Sequence, residues 1–236
     1  MVDRVIYKKH IETGDRKMRI KSNSKLIMIG DSVSDFDRAR PVGEGLAGAL
    51  GRSYVALVDA LLRTAYPESK IRIVNMSVSG NTVRDLKNRW ETDVLELKPD
   101  WVSILIGTND VWRQFDSPLA SDSHVYPEEY ESTLESLVEK TISKTSGFVL
   151  MTPFYMEPNR EDPMRARMDE YGAIVKRTAK KYNTICVDLQ AEFDKYLRYY
   201  YSASMTWDRV HPDIVGHTII ARAFLNAIGF DWSRMA

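Results

Sequence analysis

A single cysteine, Cys186, is present among the 236 residues, so no disulfide within the chain can staple it. It lies in the apolar run T-I-C-V-D-L and reads as a small buried hydrophobe rather than a reactive thiol. Charge of one sign is also lacking, because 33 Lys and Arg face 33 Asp and Glu. That balance argues against a nucleic-acid or an anionic-membrane partner held by bulk charge. No apolar stretch approaches the roughly 20 residues that cross a bilayer. The N-terminal MVDRVIYKKHIETGDRKMRIKSNS has no apolar core of the kind a secretory signal carries. We therefore read the chain as soluble and cytoplasmic.

Histidines are few, four in all. His10 and His124 stand in polar surroundings without partners nearby in sequence, so neither points to a metal. There is no G-x-x-x-x-G-K-[ST] phosphate loop, and Asp31, Asp35 and Asp37 lack the Gly and terminal Glu of a Ca²⁺ loop. No cofactor or metal is expected. Repeats and low-complexity linkers are absent as well, which leaves one domain over 25–236 preceded by an N-terminal extension over 1–24.

Short Ile- and Val-rich runs alternate with stretches of helical period. Runs at 25–30, 71–75, 101–107, 147–153 and 184–189 read as five buried strands, bounded by Gly, Pro, Asp or Asn. Segments 43–65, 82–97, 127–145, 163–181 and 190–201 carry apolar residues at three- and four-residue spacing. A last helix is expected from about 212 to 228, with Pro212 at its first position and Gly229 after its end. Such alternation predicts an α/β fold, a parallel sheet with helices on both faces. Two connections, 108–126 and 153–162, read as long loops. Ligands of such sheets bind outside the carboxyl ends of the strands, so chemistry should follow each run directly.

Three places meet that condition, and the loop before the last helix can lie across them as a fourth. G-D-S puts Ser32 after the first strand, where a nucleophile has backbone N–H groups nearby, although a Ser or Asp there equally caps a helix. After the second strand, Gly80 can bring its backbone N–H close to a ligand, or simply make a turn. After the third, the Asn109 amide is a neutral donor suited to a developing oxyanion, or an ordinary turn residue. In T-W-D-R-V-H-P-D-I-V-G-H, His211 can serve as general base with Asp208 as its orienting acid, although D-x-x-H by itself is common. His217 falls inside the last helix and reads as a packed or surface residue. Asp213 reads as a cap and Arg84 as a surface or ion-paired residue.

Taken together, G-D-S (30–32), N-x-S-x-S-G (75–80), G-T-N-D (107–110) and D-R-V-H-P (208–212) resemble the four motif blocks of the SGNH, or GDSL-type, hydrolases, in the family's order. The second block departs from the family pattern at Ser77, where a glycine is usual. The resemblance implies a flavodoxin-like three-layer sandwich around a central five-stranded parallel sheet. It implies a serine esterase with Ser32, His211 and Asp208 as triad, and Ser32, Gly80 and Asn109 as oxyanion hole. G-R-A-R-P-V-G-E-G, S-G-N-T-V-R-D-L, G-T-N-D-V-W-R-Q, M-T-P-F-Y and M-T-W-D-R-V-H-P are most similar to the acetyl esterases of xylan and xylo-oligosaccharides. The implied partner is a small-molecule ester, an acetylated sugar, with Asp31, Trp112, Tyr155 and Trp207 as candidate substrate-binding residues. A lysophospholipase, thioesterase or arylesterase on the same scaffold and a catalytically silent carbohydrate binder are the other readings, and a homo-oligomer is left open.

Overall fold

Five parallel strands form one sheet in the order β2-β1-β3-β4-β5. They are β1 (Lys25–Gly30), β2 (Arg72–Asn75), β3 (Trp101–Leu105), β4 (Gly147–Met151) and β5 (Ile185–Val187). The computed structural model describes residues 17–235. Residues 1–16 of the extension expected over 1–24 lie outside the described residues. Residues 17–24 are held against the domain, with Ile20 buried and the Arg19 N–H on the Ile228 carbonyl.

Alternate residues of each strand enter one of two apolar cores, because successive side chains leave a strand on opposite faces. Leu26, Met28, Ile73, Leu105 and Met151 join one core. It is completed by α2 (Tyr54–Ala65), α7 (Leu189–Tyr196) and α8 (Ile214–Ala227). Ile27, Ile29, Val74, Ile104 and Leu150 join the other, beneath α3 (Val83–Trp90), α5 (Pro127–Ile142) and α6 (Pro163–Lys181). The expected three-layer α/β sandwich is the fold observed. It explains why the strands read as continuous apolar runs, since both faces are dry.

Four expectations need correction. The first half of 43–65 is not helical. Gly43, Gly45, Gly48 and Gly51 make it an irregular loop, and helix begins only at α2, where Ser53 accepts from the Val55 N–H. The expected long loop over 108–126 opens with a helix, α4 (Thr108–Asp116). Its inward positions include Thr108, Asn109 and Asp110, so its apolar periodicity was masked by buried polar residues. Pro212 is not the first residue of the last helix. Asp213 caps α8, accepting from the Val215 and Gly216 N–H groups, and Pro212 pairs instead with Thr206 in an isolated antiparallel bridge. Finally, Cys186 is exposed, because β5 is a three-residue edge strand that neighbours β4 on one side only.

Two groups set the distance between the ends of β1, β2 and β3. At Gly30 a Cβ atom would stand 2.2 Å from the Leu105 carbonyl oxygen, so only glycine lets the β1 and β3 ends approach this closely. Asn75, at the end of β2, donates through its side-chain amide to the carbonyls of Ser34 (2.7 Å) and Leu50 (2.9 Å) and accepts from the Ser77 N–H (3.0 Å). It thereby ties β2 to α1 (Ser32–Asp35) and to the glycine loop. Asn75→Ala would strand three buried backbone groups, and the expected loss is about 2–4 kcal/mol of stability. Urea unfolding measures this; a loss under about 1 kcal/mol would mean the amide is not needed there.

Candidate active site

The carboxyl edge of the sheet brings the expected residues together. β1 ends at Gly30, and Asp31 caps the single-turn α1 by accepting from the Val33 N–H at 3.0 Å. This turn lifts Ser32, half-buried, to the mouth of the sheet. Its hydroxyl stands 2.8 Å from His211 Nε2. On the far side of the ring, Nδ1 is 2.6 Å from Asp208 Oδ2.

The Asp208–His211 pair is built by its loop. The Asp213 N–H donates to the Met205 carbonyl at 2.7 Å and closes residues 205–213 into a tight excursion. Within it Arg209 adopts φ +67°, a left-handed conformation costing on the order of 1 kcal/mol for a residue with a Cβ. That reversal turns Asp208 and His211 to the same side. Asp208 Oδ1 accepts from the N–H groups of Val210 (2.9 Å) and His211 (2.7 Å), so the acid organises the backbone that carries its partner. The Met156 N–H on the Arg209 carbonyl (2.8 Å) and an Arg209–Glu157 ion pair (2.8 Å) anchor the loop to the segment after β4. Burial alone would raise the Asp208 carboxyl. Hydrogen bonds from the His211 ring and from the two backbone N–H groups outweigh it and hold the group at about 2. Asp208 is therefore an anion throughout the pH range where a histidine base operates.

The three candidate oxyanion donors follow the ends of β1, β2 and β3. Gly80 is exposed, has φ +82°, and a Cβ built there meets nothing within 4 Å. Among the described residues, neither the Ser32 N–H nor the Gly80 N–H has an acceptor. The neighbouring Asn81 N–H turns back onto the Val78 carbonyl. Asn109, in the first turn of α4, places one amide hydrogen on the Asn81 carbonyl at 3.0 Å, which leaves the second to point elsewhere. Two backbone N–H groups and half an amide are neutral donors of the kind that a developing oxyanion requires.

The substrate-binding candidates divide. Trp207 is 83% exposed and lies parallel to the His211 ring, with centroids 6.0 Å apart and planes within 6°. Trp112, half-buried on α4, meets the same ring at 5.7 Å. Tyr155 is buried in the core beneath α6, and its backbone is fixed by Gln190 on both sides. Asp31 must be corrected: it has no exposed surface and cannot touch a substrate as placed. Burial pushes its carboxyl up to about 7, against the pull of the Val33 N–H and the His211 charge. Ser77, where the second block departs from the family pattern, is buried, with its N–H on Asn75 and its carbonyl on the Arg38 guanidinium. His217 is packed in α8, accepting from the Tyr54 N–H at 3.2 Å, and burial lowers its ring to about 4. Arg84 is ion-paired with Glu129 and also holds the Asp122 and His124 carbonyls. Among the described residues no cluster of three or more His, Cys, Asp or Glu could hold a metal ion.

Sequence reasoning missed the residues that brace the loops carrying these donors. Asp35 accepts from both the N–H (2.8 Å) and the hydroxyl (2.9 Å) of Ser79, next to Gly80, and is itself paired with Arg40 at 2.5 Å. Asp110 accepts from the Val83 N–H at 2.9 Å and so caps α3 from the neighbouring helix. Only the acidic spacing after each strand hinted at them, and an acid near a helix start is too common to single out.

Comparison with known proteins gives a consistent result. The family described as GDSL-like lipase/acylhydrolase matches residues 28–219. An acetylxylan esterase of Geobacillus stearothermophilus is 58% identical over 217 residues, 92% of this chain and 99% of that protein. The crystal structure of Axe2, an acetylxylan esterase from Geobacillus stearothermophilus, superposes with a TM-score of 0.90 at 58% identity, covering 91% of this chain and 98% of that one. LAE5, an alpha/beta hydrolase enzyme from the metagenome of Lake Arreo, superposes with a TM-score of 0.89 at 52% identity, covering 91% and 99%.

Burial raises the Asp110 carboxyl to about 8, with a smaller contribution from the charge of Asp31. An unfolded aspartate titrates near 4. The folded protein therefore keeps a proton that the unfolded chain releases, and this contribution to stability fades as pH rises from about 4 to about 8. Asp110→Asn keeps an acceptor oxygen and carries no charge. It should gain melting temperature relative to the parent protein as pH rises from 5 to 8.5. A difference independent of pH would show that Asp110 is already ionised in the fold.

Proposed function

The chain belongs to the GDSL-like lipase/acylhydrolase family, and on that premise we propose that it is a serine esterase removing acetyl groups from xylo-oligosaccharides through Ser32, His211 and Asp208. The observation that carries this reading is the unbroken hydrogen-bonded series from Ser32 Oγ through the two nitrogens of His211 to Asp208, with spacings of 2.8 and 2.6 Å. Similarity over nine-tenths of the chain to an acetylxylan esterase supports the choice of substrate.

His211 Nε2 takes the Ser32 proton as Oγ bonds to the ester carbonyl carbon, and Asp208 balances the imidazolium that forms. Negative charge moves to the carbonyl oxygen, cradled by the N–H groups of Ser32 and Gly80 and by Asn109 Nδ2. The carbon–oxygen bond to the sugar then breaks, His211 gives its proton to the departing sugar oxygen, and Ser32 is left acetylated. Water attacks that ester with His211 again as base, and acetate leaves as Ser32 recovers its proton. No step requires a cofactor. Trp207, stacked on His211 and exposed, and Trp112, tilted against the same ring, offer apolar surfaces for the sugar ring and the acetyl methyl.

Ser32→Ala should abolish turnover of p-nitrophenyl acetate and of acetylated xylo-oligosaccharides while leaving the melting curve in place; substantial residual turnover would remove Ser32 from the nucleophile role. Asn109→Ala should lower kcat by roughly 10²–10³. If its effect fell on KM alone, Asn109 would be a ground-state contact instead. Across a series of p-nitrophenyl esters, turnover should drop steeply beyond short acyl groups, and a preference for long chains would favour a lipase-type substrate.

A further inference from the structure

Arg89 lies on α3, away from the triad, with a side chain only 17% exposed. Its guanidinium is bonded on every edge. Nε donates to the Asn81 side-chain oxygen at 2.7 Å, and Nη1 donates to the Met76 carbonyl at 2.6 Å and to Asp93 at 2.6 Å. Nη2 reaches the Gly30 carbonyl at 3.4 Å. Gly30 precedes the Asp31–Ser32 turn, Met76 follows β2, and Asn81 follows Gly80. One rigid fork therefore spans the backbone ends of β1 and β2 and the loop that carries Gly80.

Asn81 is the link to the cradle. Its side chain is held by Arg89, its N–H by the Val78 carbonyl, and its own carbonyl accepts the Asn109 amide. Asp35 holds Ser79 from the other side. The Ser79–Gly80 peptide, whose N–H enters the cradle, is thus flanked by two fixed points. We propose that Arg89 is a positioning residue for the oxyanion hole, holding Asn81 so that the Gly80 N–H and the Asn109 amide converge on the carbonyl oxygen of the ester. This inference rests on the esterase reading above. A lysine cannot replace the fork, because a single ammonium cannot reach Asn81, Met76 and Gly30 together in one plane.

Loss of the fork should act on the transition state rather than on substrate binding. Arg89→Ala is expected to lower kcat for p-nitrophenyl acetate by about ten- to a hundredfold, with KM changing less than about threefold, because small displacements of catalytic donors carry costs of this size. Arg89→Lys should stay well below the parent. Asn81→Ala, which removes the acceptor without touching the core, should lose about tenfold in kcat and decides the matter if Arg89→Ala does not fold. The distinguishing measurement is a double-mutant cycle: adding Asn109→Ala to Arg89→Ala should cost far less than Asn109→Ala does in the parent. Independent, multiplying losses would overturn the proposal, as would full kcat in folded Arg89→Ala or in Asn81→Ala. Turnover surviving in Ser32→Ala would instead overturn the esterase reading itself. An inactive Ser32→Ala beside a fully active Arg89→Ala would refute only the role of Arg89.

Discussion

Everything at the active edge depends on three adjacent parallel strands, β2, β1 and β3, ending at the same level. A parallel sheet needs a crossover between each pair, so its strand ends are the places where chain leaves the ladder and backbone groups lose their partners. Here those ends are close enough that the first residues beyond each strand meet. Ser32, Gly80 and Asn109 lie far apart in sequence and come from three different crossovers, yet each follows its own strand within a few residues. The contact of Gly30 with the Leu105 carbonyl marks how little room there is between them.

Such an edge accumulates buried polar groups, and much of the site's supporting structure answers that problem. Asn75 satisfies two carbonyls and an N–H between β2 and α1. Arg38 and Arg89 take up carbonyls of the second crossover. Asp31, Asp35 and Asp110 cap or brace backbone N–H groups, and each keeps one carboxylate oxygen without a partner among the described residues. The acids differ in environment rather than in type. Asp208 is surrounded by donors and is held near 2, whereas Asp31 and Asp110 are so thoroughly desolvated that they rise to about 7 and 8. Only the first is suited to balance an imidazolium; the other two act through hydrogen bonds to helix starts.

The first three blocks were readable because each combines a strand end with a residue type that acyl transfer requires. Spacing alone made Asp208 and His211 a weak pair. Their assignment grew stronger only with the other three blocks beside them, and the left-handed turn at Arg209 that joins them has no sequence signal. What escaped reading did so for one recurrent reason. α4 hides its inward face behind Thr108, Asn109 and Asp110, Pro212 pairs across a bridge instead of opening a helix, and Cys186 looks buried until β5 is seen to be an edge. In each case a long-range neighbour, absent from any local window, decided the outcome.

Legible in the sequence were the α/β class, the positions of the strands to within two residues, and the candidates for nucleophile, base, acid and oxyanion donors. The strands follow from periodicity and the candidates from short motif blocks and their resemblance to a known family, all of which are local in sequence. Only the tertiary structure decided which aromatic residues face His211, that Asp31 is sealed beneath the site, and that Arg89 and Asp35 brace the Gly80 loop from opposite sides. Those depend on strand order and on contacts between residues tens of positions apart, and burial and hydrogen bonding belong to the packed chain rather than to any segment of it.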